Sequence, residues 1–158
     1  MPGPNIGKLA GIYDPAQISV WVAGSLITGF GEEFIRITPR ENEYYDDVGV
    51  DGEICRWPSN NYFADIVLSL LPTATSNAAL QALQLVDRLS GSNFFSVIIK
   101  DVSGVNLTAN ILTDSYLFPV CWIKSSPVIV YRKGVELRQW PIVGALYYPI
   151  ILGTGQLL

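Results

Sequence analysis

The chain has 158 residues, 15% charged and 49% hydrophobic, with a formal charge of -4 and no histidine. A soluble domain ordinarily carries about 25% charged residues; here a compact 17.3 kDa monomer would spread its charges over roughly 7,800 Å², a surface sparse enough to associate. The missing imidazole excludes Ser-His-Asp and Cys-His catalysis, HExxH zinc chemistry and histidine metal sites, so composition points to a structural subunit and away from an enzyme.

Length fits one domain. Residues 1–65 carry four basic and ten acidic side chains, whereas residues 66–158 carry six and four. This lengthwise charge asymmetry suits head-to-tail or ring contacts between copies, or simply keeps an apolar protein soluble. The start Met1-Pro2-Gly3-Pro4-Asn5 has no basic segment followed by an apolar run, which gives the expectation of a protein retained in the cytoplasm of the cell that makes it. Cys55 and Cys121 lack paired zinc spacing and are read as two buried thiols.

Taken in order, the chain is dominated by period-two patterns between turn signals, the mark of strands. Ile18, Val20 and Val22 share one face, and Gly24-Ser25 turns the chain toward Leu26-Ile27. Further strands are expected at Glu33–Thr38, Glu53–Trp57, Phe63–Leu70, Phe94–Lys100, Val105–Ile111, Leu117–Lys124, Val128–Tyr131 and Val135–Trp140. Gly29-Phe30-Gly31 lacks the third glycine, lysine and hydroxyl of a phosphate-cradling loop. Carboxylate pairs for glycoside hydrolysis stay open, because their spacing is spatial.

One segment departs from strand periodicity. After Pro72, Thr75 or Ser76 can cap a helix that runs through Leu80, Leu83 and Leu89 and ends near Gly91. At about 100° per residue, Asn77, Gln81, Gln84 and Arg88 fall in a stripe about 60° wide, and the rest of the circumference is mostly apolar. Such a helix is covered on two sides, by its own sheet and a second subunit, or is sunk deep in its own core. The final segment, Trp140 to Leu158, is uncharged, but Pro141, Gly144, Pro149, Gly153 and Gly155 interrupt it too often for a spanning helix. It is expected to lie across a neighbour.

The strongest local signal is acidic: Glu41, Glu43, Asp46, Asp47, Asp51 and Glu53, with no base between Arg40 and Arg56. A calcium loop would need a ladder of oxygen ligands, and Val48 and Val50 stand between the acids instead. The stretch is either a solvated loop or one that reaches a basic patch on another copy, where Lys100, Lys124, Arg132, Lys133 or Arg138 could receive it.

Tyr13-Asp14-Pro15, Ile27-Thr28-Gly29-Phe30, Phe34-Ile35-Arg36 and Gly49-Val50-Asp51-Gly52-Glu53-Ile54-Cys55-Arg56 occur in that order. The strand Ile66–Leu70, the helix opening Thr75-Ser76-Asn77, the strand Phe94–Ile99, then Asp101 and Gly104 follow. Over residues 11–113 this pattern resembles the tail tube proteins of contractile-tailed bacteriophages, with a weaker echo at Trp140 and no match beyond residue 141. The resemblance implies a mainly β (α+β) fold, a β-sandwich or barrel with one flanking α-helix that assembles into a ring. One domain would span residues 1–158, with 1–12 an N-terminal arm and 141–158 an apolar C-terminal tail.

It further implies hexameric rings stacked into a hollow tube inside a contractile sheath, with sheath, baseplate and tape-measure proteins as partners. The location would be the phage virion, assembled in the host cytoplasm, with no membrane, cofactor, metal or catalytic residue. DNA, one negative charge per about 1.7 Å, would slide through a net-acidic tube rather than be held. By the same resemblance Asp51, Gly52, Glu53 and Arg56 belong to subunit or ring contacts. Together with the charge pattern, the interface candidates are Glu41, Glu43, Asp46, Asp47, Asp51, Gly52, Glu53, Arg56, Arg132, Lys133 and Arg138. The alternative is a monomeric β-sandwich that binds sugar or calcium through the acidic stretch and Tyr44, Tyr45 and Trp57.

Overall fold

Alternating β-branched and aromatic residues favour extended backbone with one face buried, and they build an antiparallel sheet. A computed structural model of the protein describes residues 15–101, 111–112, 114–151 and 155–156. The expected arm 1–12 and strand Val105–Ile111, apart from Ile111 itself, lie outside the described residues. The strands are β1 (Ile18–Val22), β2 (Ser25–Ile27), β3 (Phe30–Pro39), β4 (Tyr44–Val48), β5 (Ile54–Pro58), β6 (Ala64–Leu70), β7 (Phe95–Asp101), β8 (Ile111–Leu112), β9 (Asp114–Ile123), β10 (Arg138–Gly144), β11 (Tyr148–Ile150) and β12 (Gly155–Gln156). Among the described residues the one α-helix, α1, covers Ser76–Ser90.

The main sheet runs β2-β1-β7-β9-β10-β6-β3, with β11 also pairing to β9. Separate two-stranded pairs are β4–β5 and β8–β12. An irregularity in the β7–β9 register sets Phe95 opposite Cys121 but Val97 opposite Phe118, giving β9 one extra residue at Pro119-Val120. A bulge of this kind bends a strand and increases its twist. One half of β9 pairs with β11 and the other with β10.

Side chains from both ends of the strand order meet in one core: Val20, Val22 and Ile27 from one edge, Ile66, Leu68 and Leu70 near the other, and Val97, Phe118 and Ile142 between. The sheet is therefore rolled around its own apolar face. The fold is mainly β with one helix, as the sequence led us to expect.

The helix turns half of its polar stripe inward, beside the buried Leu80, and leaves Arg88 exposed. Asn77 and Gln84, read as an outward polar stripe, are buried, while Ala78, Ala82, Leu85, Val86 and Leu89 face outward. Hydrogen bonds explain the inward turn. The Trp140 indole N–H donates to Asn77 Oδ1 at 2.9 Å, and the Asn77 amide donates to the carbonyls of Leu71 and Ala74. Gln84 Nε2 donates to the Ser126 hydroxyl at 2.8 Å.

Thr75 takes the expected N-cap position, but no side-chain bond closes it. The Ser76 hydroxyl instead accepts the Thr28 N–H, tying the helix start to the segment between β2 and β3. The expected stop is present: Gly91, at φ 73°, takes the left-handed conformation that glycine adopts at no steric cost, and its N–H bonds Asp87 O.

Three further expectations change. Val128–Tyr131 has the β-branched and aromatic composition of a strand but forms no strand. β6 occupies one edge of β10 along its whole length, whereas β9 reaches only Ile142–Gly144 on the other, and residues 128–131 do not take up the edge left at Arg138–Gln139. β10 itself extends past Pro141 into the segment expected to cross a neighbour, burying Ile142 and Val143 in this chain's own body. Pro141 is tolerated because its carbonyl accepts from Lys124 N–H at 2.9 Å, so its donorless nitrogen faces the side where β9 has already ended. Of the thiols only Cys121 is buried, its pKa pushed up to about 12 by desolvation, whereas Cys55 is exposed on β5.

Asn77→Ala leaves the buried Trp140 N–H without its partner and takes one of two donors from each of the Leu71 and Ala74 carbonyls. It should lower stability by about 1–3 kcal/mol in denaturant unfolding. A loss below a few tenths would show that the bond does not hold the helix.

Candidate assembly interface

Beyond Pro39 and Ala64 the β3–β6 ladder continues out of the body. Arg40 N–H bonds Phe63 O, Ser59 N–H bonds Glu43 O, and Tyr44 to Val48 then pair with Pro58 to Ile54. Every residue of β5, and all of β4 except the half-buried Tyr45, is exposed. A lone two-stranded hairpin is marginal in water, and this one has its own supports. Tyr45 and Trp57 rings lie 6.1 Å apart on one face; on the other, Arg56 stands opposite Asp46 with its guanidinium 4.2 Å from the centre of the Tyr44 ring.

The tip is ordered by hydrogen bonds rather than burial. Gly49 N–H donates to Glu53 O, and Gly52 N–H to Gly49 O. Asp47 Oδ1 accepts from Val48 N–H, and Asp51 Oδ1 from Glu53 N–H. Gly52 sits at φ 88°, where a side chain would strain the turn.

The root is fixed by Arg40, which grips Asp65 through two hydrogen bonds of 3.0 and 2.8 Å. That guanidinium holds the Asp65 carboxyl below its ordinary pKa, with Lys124 adding a smaller pull the same way. Lys124 thus belongs near the hairpin root, and Lys100 lies exposed on β7.

The basic candidates Arg132, Lys133 and Arg138 come together elsewhere, in and just after the segment 125–137 that links β9 to β10. Arg132 donates to Glu136 at 2.6 Å, while Lys133 and Arg138 have no ion pair among the described residues. The segment exposes Val128 at 82%, Tyr131 at 85% and Val135 at 73%. With Pro72 and Leu137 these residues form a groove of about 210 Å³, and a second of about 650 Å³ opens over Val67, Gln139 and Pro141 on the outer sheet face.

The candidate residues therefore form two groups, the acids with Gly52 and Arg56 on the hairpin and the three bases on this loop. What the sequence reading missed is apolar. Val48, Val50 and Ile54 crown the hairpin with exposures of 63, 111 and 77%. The valines between the acids had served only to argue against calcium. The outward stripe of α1, ending at Leu89, adds a third apolar surface. Among the described residues no cluster of three or more His, Cys, Asp or Glu could hold a metal ion, and no helix is long and apolar enough to cross a membrane.

Against solved structures, the chain resembles the anti-feeding prophage tube terminating cap, with a TM-score of 0.60 and 12% identity over 89% of this chain and 91% of that one. A chain of the sheath-tube complex of an extracellular contractile injection system, PVC, matches at 0.59 and 11% identity over 96% of this chain and 99% of that one. The PVC sheath/tube terminator matches at 0.54 and 11%, over 90 and 99%. No family model and no curated protein matches the sequence. The chain thus has the fold of components from contractile injection tubes.

Because Asp65 has a depressed pKa, its ion pair stabilises the folded chain above the pKa of an unfolded aspartate, and the contribution is lost as pH falls through the lowered folded value. The pair is partly exposed, so Asp65→Asn should lower the thermal midpoint at neutral pH by no more than a few degrees. The difference should vanish in strong acid. A deficit that persists there would assign the loss to packing.

Proposed function

We propose that this protein is a structural subunit of the tube of a contractile tail or injection system. Copies assemble into hexameric rings that stack around a hollow channel within a sheath. The observation that carries the reading is a strand-rich body of this fold whose hairpin, loop and helix stripe all expose apolar side chains. Exterior of that kind is an association surface in a protein with so few charges. In a phage tail the passenger is DNA, which a net-acidic subunit does not hold by counterion release. The sheath lies outside, and the baseplate and tape-measure proteins bound the tube's length. The work is mechanical, and no catalytic role is assigned to any residue.

A second reading, a terminal ring that closes the tube, is favoured by the likeness to a tube terminating cap. The two differ in whether rings stack. Negative-stain microscopy of the purified full chain separates them: hollow filaments identify a tube body subunit, and rings that never stack identify a terminator. A monodisperse monomer at high concentration overturns both.

A further inference from the structure

The strand registers put the hairpin and the basic loop at opposite ends of the β3–β6–β10 part of the sheet. At one end Pro39 pairs with Ala64, and Ala64 with Gly144; at the other Phe30 pairs with Leu70, and Leu70 with Arg138. The seven residues of β6 separate these ends by roughly 20 Å. The hairpin leaves the first end, and the loop returns to the sheet at the second. Their chemistry is complementary in two ways. Residues 41–58 carry six acids and Arg56, whereas residues 125–138 carry Arg132, Lys133 and Arg138 against Glu136 alone. The hairpin offers an exposed apolar knob at Val50, and the loop an apolar groove between Val128, Tyr131 and Val135.

We infer that the hairpin tip of one copy docks into the loop groove of a second copy stacked head to tail, Val50 entering the groove and the acids facing Lys133 and Arg138. This inference rests on the tube reading and assigns the chain to the repeating body rather than to a terminator. Two unlike surfaces at opposite ends make a heterologous contact that need not close on itself, so each added copy presents the next docking end. Asp47 and Asp51 are engaged in ordering the tip, and Asp46 faces Arg56. Glu41, Glu43 and Glu53 have no ion pair among the described residues and are free to meet the neighbour's bases.

The test uses the purified full chain. Glu43→Lys with Glu53→Lys on the hairpin, and separately Lys133→Glu with Arg138→Glu on the loop, should each keep rings but cut filaments roughly a hundredfold, because a weak contact is multiplied around a ring. Retained rings report correct folding. The combined four-substitution variant should recover filaments. In a Cys55→Ser background, Val50→Cys with Val135→Cys should give a disulfide-linked ladder of copies on oxidation.

Filaments that survive either reversal, or a combined variant that fails to recover them, overturn the contact. So do wild-type rings that never stack, which leave the terminator reading standing. A parent chain that forms no rings refutes the tube reading: a cysteine ladder then still supports the head-to-tail contact, and its absence overturns that as well.

Discussion

The hydrogen bond from the Trp140 indole to Asn77 decides which way the one helix lies. A buried indole N–H and a buried carboxamide each cost more unpaired than the bond between them returns, so α1 must turn its amide-bearing face to the sheet. Its alanines, Leu85, Val86 and Leu89 are then left facing out. A helix sorted by hydropathy alone would bury Leu85 and Val86 in preference to Asn77 and Gln84. The apolar exterior of this protein is thus partly a consequence of satisfying polar groups inside it.

Sheet closure works with the same economy. The rolled sheet places side chains from β1 and β6 in a single core, which lets a chain of this length bury a continuous apolar face without a second sheet. The bulge in β9 lets one strand serve two partners, β10 and β11. What remains outside are the β3–β6 extension and the linker between β9 and β10, neither of which joins the main sheet.

Much of this was legible in the sequence because period two and period 3.6 are local properties. β1, β6 and β7 stand close to their expected positions, and α1 ends at its glycine. The failures share a cause, since they turn on partners distant in the chain. Val128–Tyr131 has the β-branched composition of a strand, yet composition does not say which edge it would pair with. Asn77 reads as solvent-facing until Trp140, 63 residues away, is brought beside it. Cys55 reads as a buried thiol because it has neither a disulfide framework nor paired zinc spacing, but β5 projects from the body and buries nothing. The acidic stretch was visible as charge, whereas its use as a hairpin depends on Tyr45 meeting Trp57 and on Arg56 lying over Tyr44.

Charge and apolar surface divide their labour on the two projecting elements. Exposed ion pairs contribute little individually and are screened by salt, so acids on the hairpin and bases on the loop are poor adhesives. They are effective at orientation, because like-charged ends repel and unlike ends attract, which excludes head-to-head association. In the proposed contact, Val48, Val50 and Ile54 against Val128, Tyr131 and Val135 would supply the area-dependent attraction, and that attraction has no polarity of its own. Neither property alone specifies a directional, extensible assembly. In the proposed stack, their placement at opposite ends of β6 would turn the lengthwise charge asymmetry of the sequence into a direction of growth.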